Sequence, residues 1–193
     1  MEISTDIVKA LRDKTGVSVM QCRKALEEAG GDIEKAEVIL RKKSGAVAEK
    51  KADRDLGAGA IGSYVHDGAI GAMVVLSCET DFVARNPEFP ALAREIAMQV
   101  AATNPTYNRI ENIPEDVVAK AREVFEKEVE GKPEDMKAKI LEGKLNSYFS
   151  DQVLMNQVFI KDESKTIRDL IAEASQKFGE RVEVTRFVRI SVR

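Results

Sequence analysis

An α+β fold is predicted by three features of the sequence. Residues up to about 42 hold three helix-period segments with very short connections. Two apolar runs then hinge on Asp67-Gly68, and from Val182 onward apolar and polar residues alternate to near the end of the chain. The expectation is an N-terminal three-helix bundle followed by a core of several helices and a three-stranded antiparallel sheet, antiparallel because a hairpin builds it.

The first helix starts at Ser4 or Thr5 and runs to Lys14, with Ile7, Val8 and Leu11 on one face and Gly16 as its stop. Ser18 opens the second, and Gln21 three residues on completes a capping box. Cys22, Leu26 and Ala29 keep helical spacing until Gly30-Gly31. Asp32 caps the third, striped by Ile33, Ala36 and Leu40. From Arg41 to Arg54 six basic residues face two acidic ones, a local charge of +4, which reads as a flexible or helical tether. No aromatic residue stands among them to stack nucleic-acid bases.

Gly57-Ala58-Gly59-Ala60-Ile61-Gly62 fits the dinucleotide-binding pattern GxGxxG, but that motif needs a strand before it and a helix after it. Here a charged stretch precedes it and the strand-like Ile61 to His66 follows, so no nucleotide site is expected. Asp67-Gly68 supplies a two-residue turn into a strand from Ile70 to Cys78. Within it Val74-Val75-Leu76 predicts burial on both faces. The only histidine, His66, has no second histidine or nearby cysteine to suggest a metal site or a triad.

Asn86 and Pro87 start a helix striped by Phe89, Leu92, Ile96 and Val100 and closed by Asn104-Pro105. A helix from Pro114 to Gly131 turns Val117, Ala121, Val124 and Phe125 inward; one after Pro133 uses Met136, Ile140 and Tyr148. The last helix spans Thr166 to Phe178. In the closing strand Val182, Val184, Val188, Ile190 and Val192 alternate with Glu183, Thr185, Arg189 and Ser191.

With 193 residues the chain holds one good core, or a small domain plus a medium one, and the second arrangement is expected. Basic and acidic residues number 30 and 33, a net charge of −3, so no overall field favours nucleic acid. Cys22 and Cys78, without a CxxC or Cys/His cluster, read as buried free thiols in a reducing compartment. No apolar run approaches the roughly 20 residues of a membrane span. The acidic start Met1-Glu2-Ile3-Ser4-Thr5-Asp6 lacks a signal peptide's basic and apolar regions, so a cytoplasmic protein is expected unless a targeting segment has been removed. No constellation of titratable groups suggests an enzyme, and no cofactor or metal ligand set is expected.

The stretch that draws attention is Met73 to Asn86, an apolar run ending abruptly in Glu79-Thr80-Asp81 with Phe82 next. A loop at the end of a buried strand stands on a rigid base and presents its side chains in fixed geometry. Spacing alone favours a plainer arrangement, with Asp81 as N-cap and Phe82 a core residue of the following helix. The residues leave both open.

The string Glu79-Thr80-Asp81-Phe82-Val83-Ala84-Arg85-Asn86 resembles the signature of the elongation factor Ts family. So do Val8 to Gly16, Cys22 to Ala36, Gly131-Lys132-Pro133, Gln157 to Asp162 and Gly179 to Arg189, nearly the whole chain. The resemblance implies a ubiquitin-associated-like bundle at 1–42, a basic linker at 43–56 and a core for dimerisation and exchange at 57–193. It also implies a guanine-nucleotide exchange factor of protein biosynthesis that acts by binding. Its partner is elongation factor Tu with GDP, and GDP leaves so that GTP can bind. Thr80, Asp81, Phe82 and Val83 are then expected to bind the partner, with Asp81 and Phe82 entering its nucleotide and magnesium site. Arg12, Met20 and Arg23 dock the bundle, with Val19 where the family commonly has Met. The length matches the family's short form, which pairs through its sheets as a homodimer. A rival is a ubiquitin-reading adaptor or scaffold without exchange activity, but such modules carry a Met-Gly-aromatic loop where this chain has Thr15-Gly16-Val17-Ser18.

Overall fold

The computed structural model describes residues 3–192 apart from 130 and 132. Met1, Glu2, Glu130, Arg193 and the Lys132 of Gly131-Lys132-Pro133 therefore lie outside the described residues. Among the described residues there are eight α-helices, a three-stranded antiparallel sheet and a two-stranded hairpin, so the α+β expectation holds.

The bundle consists of α1 (Thr5–Thr15), α2 (Val19–Glu28) and α3 (Ile33–Glu49). Each start is fixed by a side-chain oxygen. Ser4 accepts from the Ile7 amide, Ser18 from the Gln21 amide and Asp32 from the Lys35 amide, which satisfies amides that the first turn leaves unpaired. Gly16 at φ 68° ends α1 in the left-handed conformation that Cβ-bearing residues avoid. Val8, Leu11, Val17, Cys22, Leu26 and Leu40 fill the interior. The third helix does not stop near residue 42. It runs on to Glu49 and packs on α8 (Ile167–Phe178), so of the flexible and helical forms expected for the basic stretch its first part takes the helical one, and residues 50–54 follow as turns.

In the core, β1 (Ala58–His66) and β5 (Glu183–Ser191) flank the central β2 (Ile70–Cys78). The hairpin turn forms at Asp67-Gly68, although the connection is longer than the two residues expected. Asp67 and Gly68 take φ of 48° and 66°, and the Ala69 amide donates to the His66 carbonyl at 2.9 Å. Pairing then resumes at His66↔Ile70, which leaves Ala69 as one residue more than a two-residue connection. The GxGxxG glycines lie on and beside β1, with no helix following. Gly62 is needed for close approach: a Cβ there would stand 2.1 Å from the Ala93 carbonyl carbon of α5 (Glu88–Thr103), the helix that covers the sheet. Asn86 accepts from the Glu88 amide at 3.0 Å, and α5 buries Phe89, Ala93, Ile96 and Val100 against Val74, Leu76 and Cys78.

The two-faced burial expected of β2 is found only in part: Ala72, Val74, Leu76 and Cys78 point into the core, and on the opposite face Ser77 is buried and Val75 half-buried, while Met73 is exposed. Alternation in β5 is interrupted as well. A bulge shifts the register between Val75 and Leu76, which pair with Arg186 and Val184. One extra residue reverses the parity of every side chain beyond it. Val182 and Val184 are therefore buried, whereas Val188, Ile190 and Val192 project outward with Ile61, Val65 and Met73.

Helices α6 (Glu115–Val129) and α7 (Glu134–Ser150) form a hairpin with its own cluster of Ile113, Leu141, Leu145, Phe149 and Val153, backed by Val117, Ala121 and Phe125. Val124, Met136 and Tyr148, expected inward, are exposed. The stripe of α7 runs one residue later than expected, because Leu141, Leu145 and Phe149 are the residues that meet α6. The remaining elements are the one-turn α4 (Asp81–Ala84) and the hairpin of β3 (Val158–Phe159) and β4 (Asp162–Thr166). Buried Gln99 fastens that hairpin: its amide donates to Gln157 Oε1 and the Val158 carbonyl at 3.1 Å, and its oxygen accepts from the Ile160 amide at 2.9 Å.

Gly62→Ala should destabilise the protein by about 1–3 kcal/mol, the cost of forcing atoms into a filled interface. A denaturant titration checks this. An unchanged midpoint would mean that α5 slides freely over β1.

Candidate partner-docking site

The candidate site is built where β2 ends. Cys78 pairs with Ala58 as the last residue of the β1–β2 ladder, and its fully buried thiol donates to the Thr80 carbonyl at 3.2 Å. Burial pushes that thiol's pKa above the usual thiol value, so it is kept protonated as a donor. The chain then makes the single turn α4, in which the Arg85 amide donates to the Asp81 carbonyl at 3.0 Å and the Asn86 amide to the Val83 carbonyl at 3.0 Å.

One helical turn separates neighbouring side chains by about 100°, which here places them in opposite surroundings. Phe82 is 83% exposed, whereas Val83 beside it is 4% exposed and packs in the core. Of the two arrangements left open by the sequence, the outward Phe82 is the one found. Asp81 also faces solvent and pairs with Arg85 at 3.2 Å, an exposed contact worth well under about 1 kcal/mol and readily exchanged for another. Val83, grouped with the contact residues by resemblance, presents no surface and instead anchors the turn.

The foot of the turn is held by charge. Glu79 accepts from the Arg181 amide at 2.5 Å and from the Arg54 guanidinium at 3.2 Å, and Arg181 in turn donates to the Arg54 carbonyl at 2.6 Å. Burial opposes ionisation of Glu79, but the Arg181 amide and Arg54 outweigh it and hold the carboxyl below its usual range.

The bundle residues Arg12, Met20 and Arg23 all lie at the surface, and Met20 is 68% exposed with Val19 exposed beside it. Val17, in the loop where ubiquitin readers carry an aromatic, is buried in the bundle. Among the described residues no ion pair or side-chain hydrogen bond joins Arg12 or Arg23 to the turn. The two groups are related through the packing of α3 on α8 and through Gln176, whose amide donates to Gln21 at 2.9 Å. Sequence reasoning missed Glu79, Arg54 and Arg181, whose contacts span up to 127 residues of chain. Glu79 and Arg181 stand in strings that carry the resemblance and Arg54 closes the basic stretch, but nothing local to any of them shows that the three meet.

Among the described residues no group of three or more His, Cys, Asp or Glu is placed to hold a metal ion. No helix among them is long and apolar enough to cross a membrane. His66 accepts from or donates to the Tyr64 hydroxyl at 3.0 Å at the far end of the hairpin, away from the turn.

The site is thus an exposed aromatic on a turn fixed to the end of a central strand, in a molecule whose small bundle has an exposed methionine of its own. The chain belongs to the elongation factor Ts family of translation elongation factors: residues 7–193 match the family described as Elongation factor TS. It is 51% identical over 193 residues to the Elongation factor Ts of Thermodesulfovibrio yellowstonii, covering 100% of this chain and 97% of that protein. It is 49% identical to that of Thermotoga petrophila with the same coverage. With that of Coprothermobacter proteolyticus it shares 47% identity, covering 98% of each chain.

Because the native carboxyl of Glu79 titrates below its unfolded value, its contribution is complete above about pH 4.3 and is lost as pH falls through the native pKa. Comparing the stability of the protein with that of Glu79→Gln at stepped pH should show a gap near neutrality that closes in acid. A gap independent of pH would show that the carboxylate's charge does not matter.

Proposed function

We propose that the protein binds elongation factor Tu carrying GDP and promotes GDP release, after which GTP enters. The observation that carries this reading is the exposed Phe82 ring on its fixed turn in a chain of this family. Asp81 and Phe82 enter the partner's nucleotide and magnesium site, Thr80 and Val83 shape the turn, and Arg12, Met20 and Arg23 dock the bundle. The action is by binding, with no covalent chemistry, no cofactor and no nucleic acid, in the cytoplasm where translation runs.

The energetics require more than the ring. A 10⁴-fold faster release needs a barrier lowered by roughly 5.5 kcal/mol, and burying one Phe supplies only about 1.5–3 kcal/mol of it. The bundle and the rest of the core contribute the remainder by favouring the partner's nucleotide-free conformation. By reciprocity, nucleotide then weakens docking by the factor by which docking weakens the partner's affinity for nucleotide.

The open sheet face supports a homodimer. Met73 stands between Ser63 and Val188 in the register, and Gly71 between Val65 and Ile190, so Ile61, Val65, Met73, Val188 and Ile190 share one outward face of all three strands, with Ser63 and Arg186 among them. Such a surface is covered in a stable protein, and a second copy offers a matching face.

Release of a fluorescent GDP from elongation factor Tu tests the function directly. The protein should accelerate it, and Phe82→Ala should reduce the acceleration roughly ten- to hundredfold, the equivalent of one lost aromatic contact. Release at the unstimulated rate with the intact protein would refute the reading. Light scattering at micromolar concentration should give the mass of two chains; a monomer would remove the sheet-face pairing.

A further inference from the structure

Glu180 stands one residue beyond Gly179, whose left-handed φ of 74° stops α8. Its carboxylate reaches the foot of the docking turn, about a hundred residues away in sequence. Oε2 accepts from the Glu79 and Thr80 backbone amides at 3.0 Å each, and Oε1 accepts from the Thr80 hydroxyl at 2.5 Å. These amides lie just where the sheet has run out: the last pairs of β2 are Cys78↔Ala58 on one side and Ser77↔Glu183 on the other. Glu180 therefore continues, with one side chain, the restraint that the ladder supplies up to Cys78.

Thr80 shows that this contact overrides a local preference. It occupies the N-cap place of α4 with extended φ −125° and ψ 156°, where a Thr oxygen ordinarily accepts from the helix's first amides, yet it makes no cap bond. Its hydroxyl is turned back to Glu180. Lys51 donates to the Gly179 carbonyl and Arg54 pairs with Glu79, so positive charge lies beside both carboxylates. Hydrogen bonds to an ionised acceptor are about twice as strong as neutral ones, which suits a restraint at the edge of solvent.

We propose that Glu180 is a positioning residue of the exchange reaction: it fixes the direction in which Asp81 and Phe82 leave the sheet. It touches neither partner nor nucleotide in this role, which rests on the exchange reading above and assigns the residue that makes the turn a lever. A lever acts on the rate of release from the docked complex, so Glu180 governs that maximal rate rather than the concentration at which docking saturates. Misplacing a pre-set group by about 1 Å costs up to a hundredfold in comparable sites.

The test is fluorescent-GDP release from elongation factor Tu over a range of concentrations of the full chain, for the wild type, Glu180→Gln, Glu180→Asp and Glu180→Ala. Gln keeps the reach: its oxygen accepts from both amides and its NH₂ donates to Thr80. Asp is one methylene too short. Ala and Asp should lower the maximal rate at least tenfold with the half-saturating concentration within about twofold of wild type, and Gln should stay within about threefold. In the free protein, NMR hydrogen exchange at the Glu79 and Thr80 amides should quicken in Ala and Asp but not in Gln, with Val74 to Leu76 still protected. Should Glu180→Ala fail to fold by circular dichroism, the Gln and Asp pair decides. The proposal is overturned if Asp and Ala release GDP like wild type, if only the half-saturating concentration moves, or if Gln loses as much as Ala. If the wild type itself fails to accelerate release, the exchange reading falls. Unchanged protection at Glu79 and Thr80 in Asp and Ala would separately refute the restraint.

Discussion

The structure depends on β2 being hydrogen-bonded on both edges. A strand flanked by β1 and β5 along nearly its full length has no freedom to tilt, and its inward residues Val74, Leu76 and Cys78 are sealed beneath α5. Whatever leaves its end inherits that fixity for a residue or two. The chain extends it further: the Cys78 thiol on the Thr80 carbonyl and the Arg54–Glu79–Arg181 contacts act on the segment where the ladder stops. The buried Val83 then pins the turn from the other side. Phe82 is thus bracketed by restraints on both sides along the chain while its own ring remains in solvent.

The same strand divides the sheet into two faces with different fates. Toward α5 the approach is so close that only a glycine fits at position 62. The opposite face carries Ile61, Val65, Met73, Val188 and Ile190, and Ile190 alone keeps 68% of its surface in solvent. The bulge opposite Val75 makes both faces possible. Without it the valines of β5 would all lie on one side, and either the core would lose Val184 or the open face would lose Val188 and Ile190. A single inserted residue lets one strand serve an interior at one end and an apolar surface at the other.

Much of this was legible because it is local. Ser4, Ser18 and Asp32 cap their helices through an amide three residues away, and Asp67-Gly68 turns the hairpin, interactions contained in a few consecutive residues. The resemblance of Thr80 to Arg85 located the candidate site, and the exposed Phe82 agrees with it. What failed depends on partners distant in sequence. Met136, Ile140 and Tyr148 have helical spacing, but so do Leu141, Leu145 and Phe149, and only the position of α6 selects between them. The apolar run from Met73 to Leu76 reads as buried on both faces, yet Met73 is exposed, because an apolar surface open to solvent has the same composition as a buried one. Gln99 and Glu79 look like ordinary polar residues until the groups they bind, 61 and 102 residues on, are placed beside them.

The contrast between Phe82 and Val83 also bears on how such a turn is built. Leaving a Phe ring in water forgoes about 1.5–3 kcal/mol of burial in the free protein. A turn free to move would recover part of that by folding the ring back against its neighbours, as spacing alone suggests it should. It does not, because the backbone on both sides is already committed: Val83 is in the core and the Glu79 carboxylate is held by the Arg181 amide. The ring's burial is therefore withheld in the isolated chain, and a surface that met it would recover that free energy. Rigidity and exposure are in this sense one property. Loosening the foot of the turn would let the ring collapse inward and would spoil the direction in which it is presented.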